Sequence, residues 1–509
     1  MAEWTAGFWN VLEPGTILFL LIGVIGGGVI GALPGLTATM GIAILTPLTF
    51  WFEPTRGFAM LIGMWNSAIF SGGITAILIN TPGTPASIAS TFDGYPLYKQ
   101  GKGGLALGVN VIYSAFGGIF GTLVLIFFSF PLARFTISFG PTEYFCLAFF
   151  GLTMMVAVSA ESVLKGLIAG FAGLLLSTVG IDPMLAMKRF TLGSVNLIDG
   201  VLFLPVMIGM FGLGEVFNQI FEHRQALENE ESAMRHVNLA LGRVLPSWGE
   251  IRSAFKLTTI AAAIGSVVGA IPAAGGDIAS IICWGQAKKW SKRPEEYGKG
   301  SLEGLAVSTV ANNAVLGGAL TTMLTLGIPG DAATAVLIGS LMMYGMQPGP
   351  KMFTEFKPFV INIMLLMLLA NLAFLIIGLL TAKVSAKVLT VNQRTVWVSV
   401  CTLCVVGSFA LNNNFFDVLM MFAAGLVGFV FRRCGYAPGP FILGLLLGGM
   451  LEANLRRALV ISQGGYGIFV TRPVSCVLLI ITVLTLAWPF VKWLLRRAPV
   501  SREADMADG

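Results

Sequence analysis

Gly27-Gly28-Val29-Ile30-Gly31-Ala32-Leu33-Pro34 closes an apolar run that starts near Thr16. Its pattern returns 238 positions later as Gly265-Ser266-Val267-Val268-Gly269-Ala270-Ile271-Pro272. A second block, marked by Asn66, Thr75, Pro82 and Gly83, returns as Asn313, Thr322, Pro329 and Gly330 at an offset of 247. The blocks keep their order. The stretch between them is nine residues longer in the second copy, where it holds Lys288, Lys289, Lys292 and Arg293. Each copy places a proline inside a hydrophobic segment at a matching point, so the chain reads as an internal duplication. Proline removes a backbone donor and glycine lets the chain turn. In hydrocarbon, the freed backbone groups need protein or a watery cavity to satisfy them. Paired Gly/Pro interruptions in two halves of a membrane protein point to a transporter's binding site.

Composition agrees with a membrane setting. Of 509 residues, 56% are hydrophobic and 11% charged, against about 25% charged in soluble domains. The 63 glycines show no Gly-X-Y period and sit inside apolar runs, which excludes a collagen-like or disordered chain. The expected fold is an all-α polytopic membrane protein of about 12 membrane helices plus re-entrant half-helices, in two related and inverted repeats. The short apolar pieces 37–51, 83–92, 276–287 and 331–346 are the half-helix candidates, being shorter than a full span. The expected organisation is a first repeat over 15–221, a polar interfacial connector over 222–256, a second repeat over 257–397, and C-terminal helices with a tail over 398–509.

The net charge of +6 fits loops biased to Lys and Arg on one side of a bilayer, and no basic patch with interleaved aromatics points to nucleic acid. The first basic residue is Arg56, so 16–33 reads as a first membrane helix, not a signal peptide. Glu3 and Glu13 favour an external start, and Arg496 and Arg497 a cytoplasmic end, while Arg456, Arg457 and Arg472 complicate that count. Cys401-x-x-Cys404 lies in an apolar stretch and reads as packing. His223 and His236 both fall in the polar connector, so a histidine-based transition-metal site within the membrane is not expected. No P-loop occurs.

The breaks carry the candidate site. In Asn80-Thr81-Pro82-Gly83-Thr84-Pro85, Thr84 before a proline has the form of an N-cap. Asp331 holds the matching place in Gly327-Ile328-Pro329-Gly330-Asp331, with Thr334 beyond it. A helix starting there offers free N–H groups and a positive dipole end, a natural seat for a carboxylate. Thr37, Asn66, Asn80, Thr81, Pro82, Gly83, Thr84, Asn313, Pro329, Gly330 and Thr334 are therefore expected to hold the solute. Asp277, Asn312, Gly327 and Asp331 are expected to hold a cation. Asp331 as a plain helix cap and Asn312-Asn313 as interhelical glue stand as alternatives. Two membrane-embedded aspartates also raise an aspartyl protease, but Asp277 and Asp331 sit at unmatched points and Ala274-Gly275-Gly276-Asp277 lacks the first glycine of a GxGD motif.

Gly31-Ala32-Leu33-Pro34-Gly35-Leu36-Thr37, Asn80-Thr81-Pro82-Gly83-Thr84-Pro85 with Asp93-Gly94-Tyr95-Pro96, and Gly327-Ile328-Pro329-Gly330-Asp331 resemble the large permease subunit of tripartite tricarboxylate transporters, the TctA family. The resemblance runs over about residues 15 to 450. It implies a non-enzymatic, multi-pass protein of the bacterial inner membrane, without cofactor, that takes up citrate-like di- or tricarboxylates with a Na⁺ or H⁺ gradient. It also implies a small four-helix membrane subunit and a periplasmic solute-binding protein as partners. Elevator-type movement and homodimerisation follow by analogy. The runner-up expectation is a differently coupled or uncoupled carrier of another small organic anion.

Overall fold

The computed structural model describes residues 2–159, 162–182, 184–226, 242–272, 274–383, 385 and 393–497. His236, the side chain of His223 and the middle of the expected connector, 227–241, lie outside the described residues. So do the linker 386–392 and the tail beyond 497. The helices are α1 (Ala2–Val11), α2 (Pro14–Gly31), α3 (Ala38–Thr49), α4 (Pro54–Ile79), α5 (Ile88–Lys99), α6 (Gly103–Thr136), α7 (Pro141–Ser159) and α8 (Val163–Ser177). A two-residue antiparallel pair, β1 (Gly180–Ile181) and β2 (Lys188–Arg189), follows. Then come α9 (Phe203–Met207), a π-helical segment Ile208–Leu213 and α10 (Gly214–Ala226). The remainder is α11 (Trp248–Gly269), α12 (Gly276–Trp290), α13 (Leu302–Leu326), α14 (Ala332–Met343), α15 (Met352–Glu355), α16 (Lys357–Thr381), α17 (Gln393–Asn412), α18 (Phe415–Arg433), α19 (Pro438–Ile461), α20 (Ile468–Thr471) and α21 (Pro473–Arg497). Among the described residues nine helices are long and apolar enough to cross a membrane, and shorter apolar helices, including α3 and α14, accompany them. The protein is an all-α polytopic membrane protein.

The larger of two compact units contains residues 1–138, 179–181 and 188–434. Within it the duplication is visible as packing. Glycines let backbones approach closely, as membrane helix contacts favour. A Cβ on Gly27 would lie 2.3 Å from the carbonyl oxygen of Met64, and one on Gly31 2.1 Å from that of Ala68. At the matching positions of the second copy, Gly265 faces the Ala311 carbonyl at 2.6 Å and Gly269 that of Val315 at 2.2 Å. The α2–α4 contact is thus rebuilt, residue for residue, between α11 and α13. Across the copies, α6 packs along α13 and α16 along α4.

The copies run antiparallel. Helix α14 ends where Tyr344 Oη donates to the carbonyl of Thr49, just before α4 (2.5 Å). Helix α5 ends where Gln100 Nε2 donates to the carbonyl of Lys299, just before α13 (2.7 Å). Each copy therefore finishes its crossing at the end where the other begins, which is the inverted arrangement.

The smaller unit, residues 139–178, 182–187 and 435–509, brings together α7, α8, α19, α20 and α21. Gly173 of α8 sits against the Phe441 carbonyl of α19, and Gly444 against that of Gly170. Two of the three arginines that complicate the charge count, Arg456 and Arg472, are paired here. Arg456 meets Asp182 (2.8 Å) and Glu452 (2.6 Å), and Arg472 meets Glu143 (3.2 Å). The backbone N–H groups of Leu185 and Met184, with Arg456 beside them, hold the Asp182 carboxyl down at about 2 despite its burial.

Candidate functional site at the broken-helix tips

The four breaks gather in the larger unit. Gly83 packs on the carbonyl of Gly31, so that a Cβ there would stand 2.1 Å from it. Gly330 stands over the Gly269 carbonyl at 2.7 Å. The copies meet where Ser280 Oγ of α12 donates to the carbonyl of Ala86 (3.2 Å), and Gly276 faces the Ala86 side chain. Asp277 and Asp331 lie within electrostatic range of each other.

The second break has the same build in both copies. Asn80, at the C-terminus of α4, takes the left-handed conformation (φ 57°), and its counterpart Gly327, ending α13, does so too (φ 72°). A Pro-Gly pair follows each, then an N-cap. Ser87 Oγ accepts from the Thr84 N–H (3.4 Å) at the short turn leading into α5, while Thr84 Oγ1 is buried and makes no cap bond; Asp331 and Thr334 form a capping box at the start of α14. Asp331 Oδ1 accepts from the Thr334 N–H at 2.8 Å and from its hydroxyl at 2.7 Å. Asp331 thus caps its helix, whereas Thr84 stands at the N-cap position without a side-chain cap bond. Thr84, Gly83, Pro329, Gly330 and Thr334 are buried, whereas Asn80 and Thr81 are exposed and Pro82 half-buried.

At the first break of the second copy, α12 starts at Gly276, and Asn312 Oδ1 points at it. That oxygen is buried and has no hydrogen-bond partner. Half-buried Asp277 follows one residue on, its Oδ1 turned back over Gly275. At the first break of the first copy, Thr37 caps α3 by accepting from the Met40 N–H (3.2 Å). Gly35 takes φ 82°, a conformation that favours glycine. Its carbonyl accepts from Gln219 Nε2 of α10. The other end of that amide accepts from Trp397 Nε1 of α17 (2.8 Å), and Glu215, one turn before Gln219, pairs with Arg432 of α18. The first tip is thereby strapped to α10 and, through it, to α17 and α18.

Asn66 and Asn313 sit on α4 and α13 beside this gathering. Each lies fourteen residues before the end of its helix, but the breaks fold back: the Gly83 N–H donates to the Gly72 carbonyl and Gly330 packs on Ala319, six residues beyond each asparagine. Asn313 Nδ2 donates to Ser114 Oγ of α6 (3.0 Å), and Asn66 Nδ2 reaches Met367 Sδ of α16 (3.2 Å). Cys404 packs with Met40, Ile44 and Trp397 in an apolar cluster. Among the described residues there is no group of three or more His, Cys, Asp or Glu able to hold a metal ion.

One residue was named in the sequence without a role. Asp93 is fully buried. Its carboxylate accepts from the N–H groups of Gly298 (2.8 Å), Gly300 (3.1 Å) and Ser301 (2.8 Å), and from Trp284 Nε1 (2.7 Å). A carboxylate directly after the expected half-helix 83–92 was the available signal, since a charge buried there must find donors.

A match to the tripartite tricarboxylate transporter TctA family spans residues 17–443 and so contains all four tips. The chain belongs to that family. Among relatives of this TctA-family chain, the uncharacterized 52.8 kDa protein of the TAR-I ttuC' 3' region of Agrobacterium vitis is 36% identical over 473 residues, covering 93% of each chain. The uncharacterized protein of the TAR-II ttuC' 3' region of the same organism is 36% identical over 215 residues, 42% of this chain and 89% of its own. No solved structure matches. TctA membership makes transport of tricarboxylates by a multi-component membrane system the family-level activity.

Proposed function

We propose that the chain is the permease of a secondary active transporter that takes up citrate-like di- or tricarboxylates, with the solute held between the four tips. The observation that carries this reading is their convergence, with helix N-termini starting at Thr84 and Asp331 and Asn312 Oδ1 left without a partner. Helix N-termini seat carboxylates without an arginine. Asp277, Asn312, Gly327 and Asp331 supply oxygens or a proton acceptor for a coupling Na⁺ or H⁺. The inverted repeats support an elevator-type movement by analogy with other ion-coupled carriers.

The partners on this reading are a small membrane subunit and a periplasmic solute-binding protein. The setting is the bacterial inner membrane, with a second copy of the chain as a further expected partner. Cations support the orientation. Lys99, Lys102, Lys288, Lys289, Lys292, Arg293 and Lys299 cluster where α5 and α12 end, and the positive-inside rule assigns that end to the cytoplasm. At the opposite end Arg56 and Lys357 pair with Glu13 and Glu3. The arginine pairs of the smaller unit soften the remaining objection to a cytoplasmic C-terminus.

The test is uptake of labelled citrate into proteoliposomes holding the assembled transporter and its binding protein, with Na⁺ and H⁺ gradients imposed separately. Accumulation driven by one gradient supports the reading. Equilibration without accumulation under both would replace it with uncoupled passage, and absence of any carboxylate movement would overturn it.

A further inference from the structure

The duplication gives an internal standard for what should be covered. In the first copy α3 is buried on nearly all sides. Leu33, Met40 and Ile44 pack into a cluster with residues of the π-helical segment, α17 and α18, among them Leu213, Trp397 and Met421, and Pro47 abuts Gly407 of α17. The second copy keeps the register, since the N-caps Thr37 and Gly275 are also 238 positions apart. Its equivalent residues remain apolar, as Ile271, Ile278, Ile281 and Ile282. They are uncovered. Leu33 is 4% exposed but Ile271 36%, Ala43 0% but Ile281 43%, and Ile44 3% but Ile282 43%. Along α2 and α11 the copies do not differ in this way, because Val29 and Val267 are both exposed. The difference is confined to the tip and the returning helix, where the first copy has α17, α18 and the π-helical segment and the second has none.

We infer that the outer face of α12, with Ile271 at its tip, is the docking surface for a membrane-embedded helix pair of a different chain in the assembled transporter. That partner takes the place that α17 and the π-helical segment hold over α3. Charge selects the occupant. The face ends at Lys288, Lys289 and Lys292, with Arg293 paired to Glu296, in the stretch that is nine residues longer than in the first copy. A two-fold contact between copies of this chain through the face would set two such clusters side by side at the same membrane level, which like-charge repulsion opposes. A helix pair with acidic residues at its cytoplasmic end complements the face along its whole length. From the family reading the inference takes only that the working transporter has further components.

The experiment places the photo-crosslinker p-benzoylphenylalanine at Ile271, Ile281 or Ile282, and at Ile22 on the exposed face of α2 as control, in the chain co-expressed with the other transporter components. The expected result is an adduct with a separate membrane-embedded component from the α12 positions and none from Ile22. The triple reversal K288E/K289E/K292E should abolish it. Adducts with lipid alone, with a second copy of this chain, or equally from Ile22 overturn the inference. An adduct indifferent to the reversal overturns the acidic-partner assignment. Adduct formation needs no transport, so failure of the uptake reading would leave this result standing.

Discussion

Trp284 Nε1 donates to the carboxylate of Asp93 at 2.7 Å, joining α12 of one repeat to α5 of the other inside the protein. Three backbone N–H groups complete the shell around that carboxylate. Asp93→Asn turns an acceptor-only group into one that also presents donors to donors. A hydrogen bond to a charged group contributes about 1.5–3 kcal/mol, so the variant is expected to lose at least that much. Trp284→Phe, which removes a single bond, should lose less. Thermal denaturation of the purified protein in detergent ranks the two, and equal stability of wild type and Asp93→Asn would remove the clasp role.

Glycine at the tips is required by space. Gly83→Ala drives a Cβ to 2.1 Å from a backbone carbonyl, and Gly269→Ala to 2.2 Å. Overpacking in a fitted interior costs about 1–3 kcal/mol, and rigid backbone neighbours place these two at the upper end. Gly285→Ala, on the open side of α12 with nothing within 4 Å, should be neutral. The yield of monodisperse protein after detergent extraction distinguishes them.

Capping and charge at Asp331 separate with two substitutions. Asn is as good an N-cap as Asp, whereas Ala costs about 0.5–2 kcal/mol. Asp331→Asn is therefore expected to keep thermal stability and to abolish gradient-driven uptake, while Asp331→Ala loses both. Asn80→Ala should likewise abolish uptake in folded protein. Wild-type uptake by Asp331→Asn would reduce this aspartate to a cap.

The Gln219 strap makes a different prediction, since it touches a tip backbone and not the solute. Gln219→Ala should raise the KM for uptake several-fold, leave the maximal rate close to wild type, and speed amide exchange at 32–37 without solute. Trp397→Phe removes one donor to the strap and should show the same effects in weaker form. Unchanged exchange in Gln219→Ala would mean that the tip is held by its apolar contacts alone.

In the smaller unit, stability should depend on acid through Asp182. Its folded pKa of about 2 lies below the usual value near 3.9. The contribution is therefore full above about pH 4 and is lost as pH falls towards 2. Asp182→Asn should lower the melting temperature at pH 6, and the gap to wild type should close as the pH falls through that window.

Much of this architecture was legible because proline and glycine act locally. The pairing of Gly31 with Gly269 and of Pro82 with Pro329 located the breaks, and Asp331 announced its cap, whereas Thr84 makes no side-chain cap bond. Inverted repeats were expected, but no single residue fixes that placement, because it depends on how far each short helix reaches. Asn66 and Asn313 were grouped with the tips by identity alone. They adjoin the tips on α4 and α13, but their amides turn to Met367 and Ser114. Gln219 and Asp93 escaped assignment because their partners, Gly35 and the 298–301 loop, lie 184 and more than 200 residues away in the chain.

The two second breaks share one backbone but not one chemistry. Where the first has Asn80 and Thr84, the second has Gly327 and Asp331, so a near-symmetric frame encloses a site with a neutral side and an acidic side. The repeat contacts of α2 with α4 and of α11 with α13 match in the antiparallel halves, even though α17, α18 and the π-helical segment cover only the first. On the transport reading, direction belongs to what binds the acidic side and to the gradient behind it, and the same protein run against a reversed gradient would export.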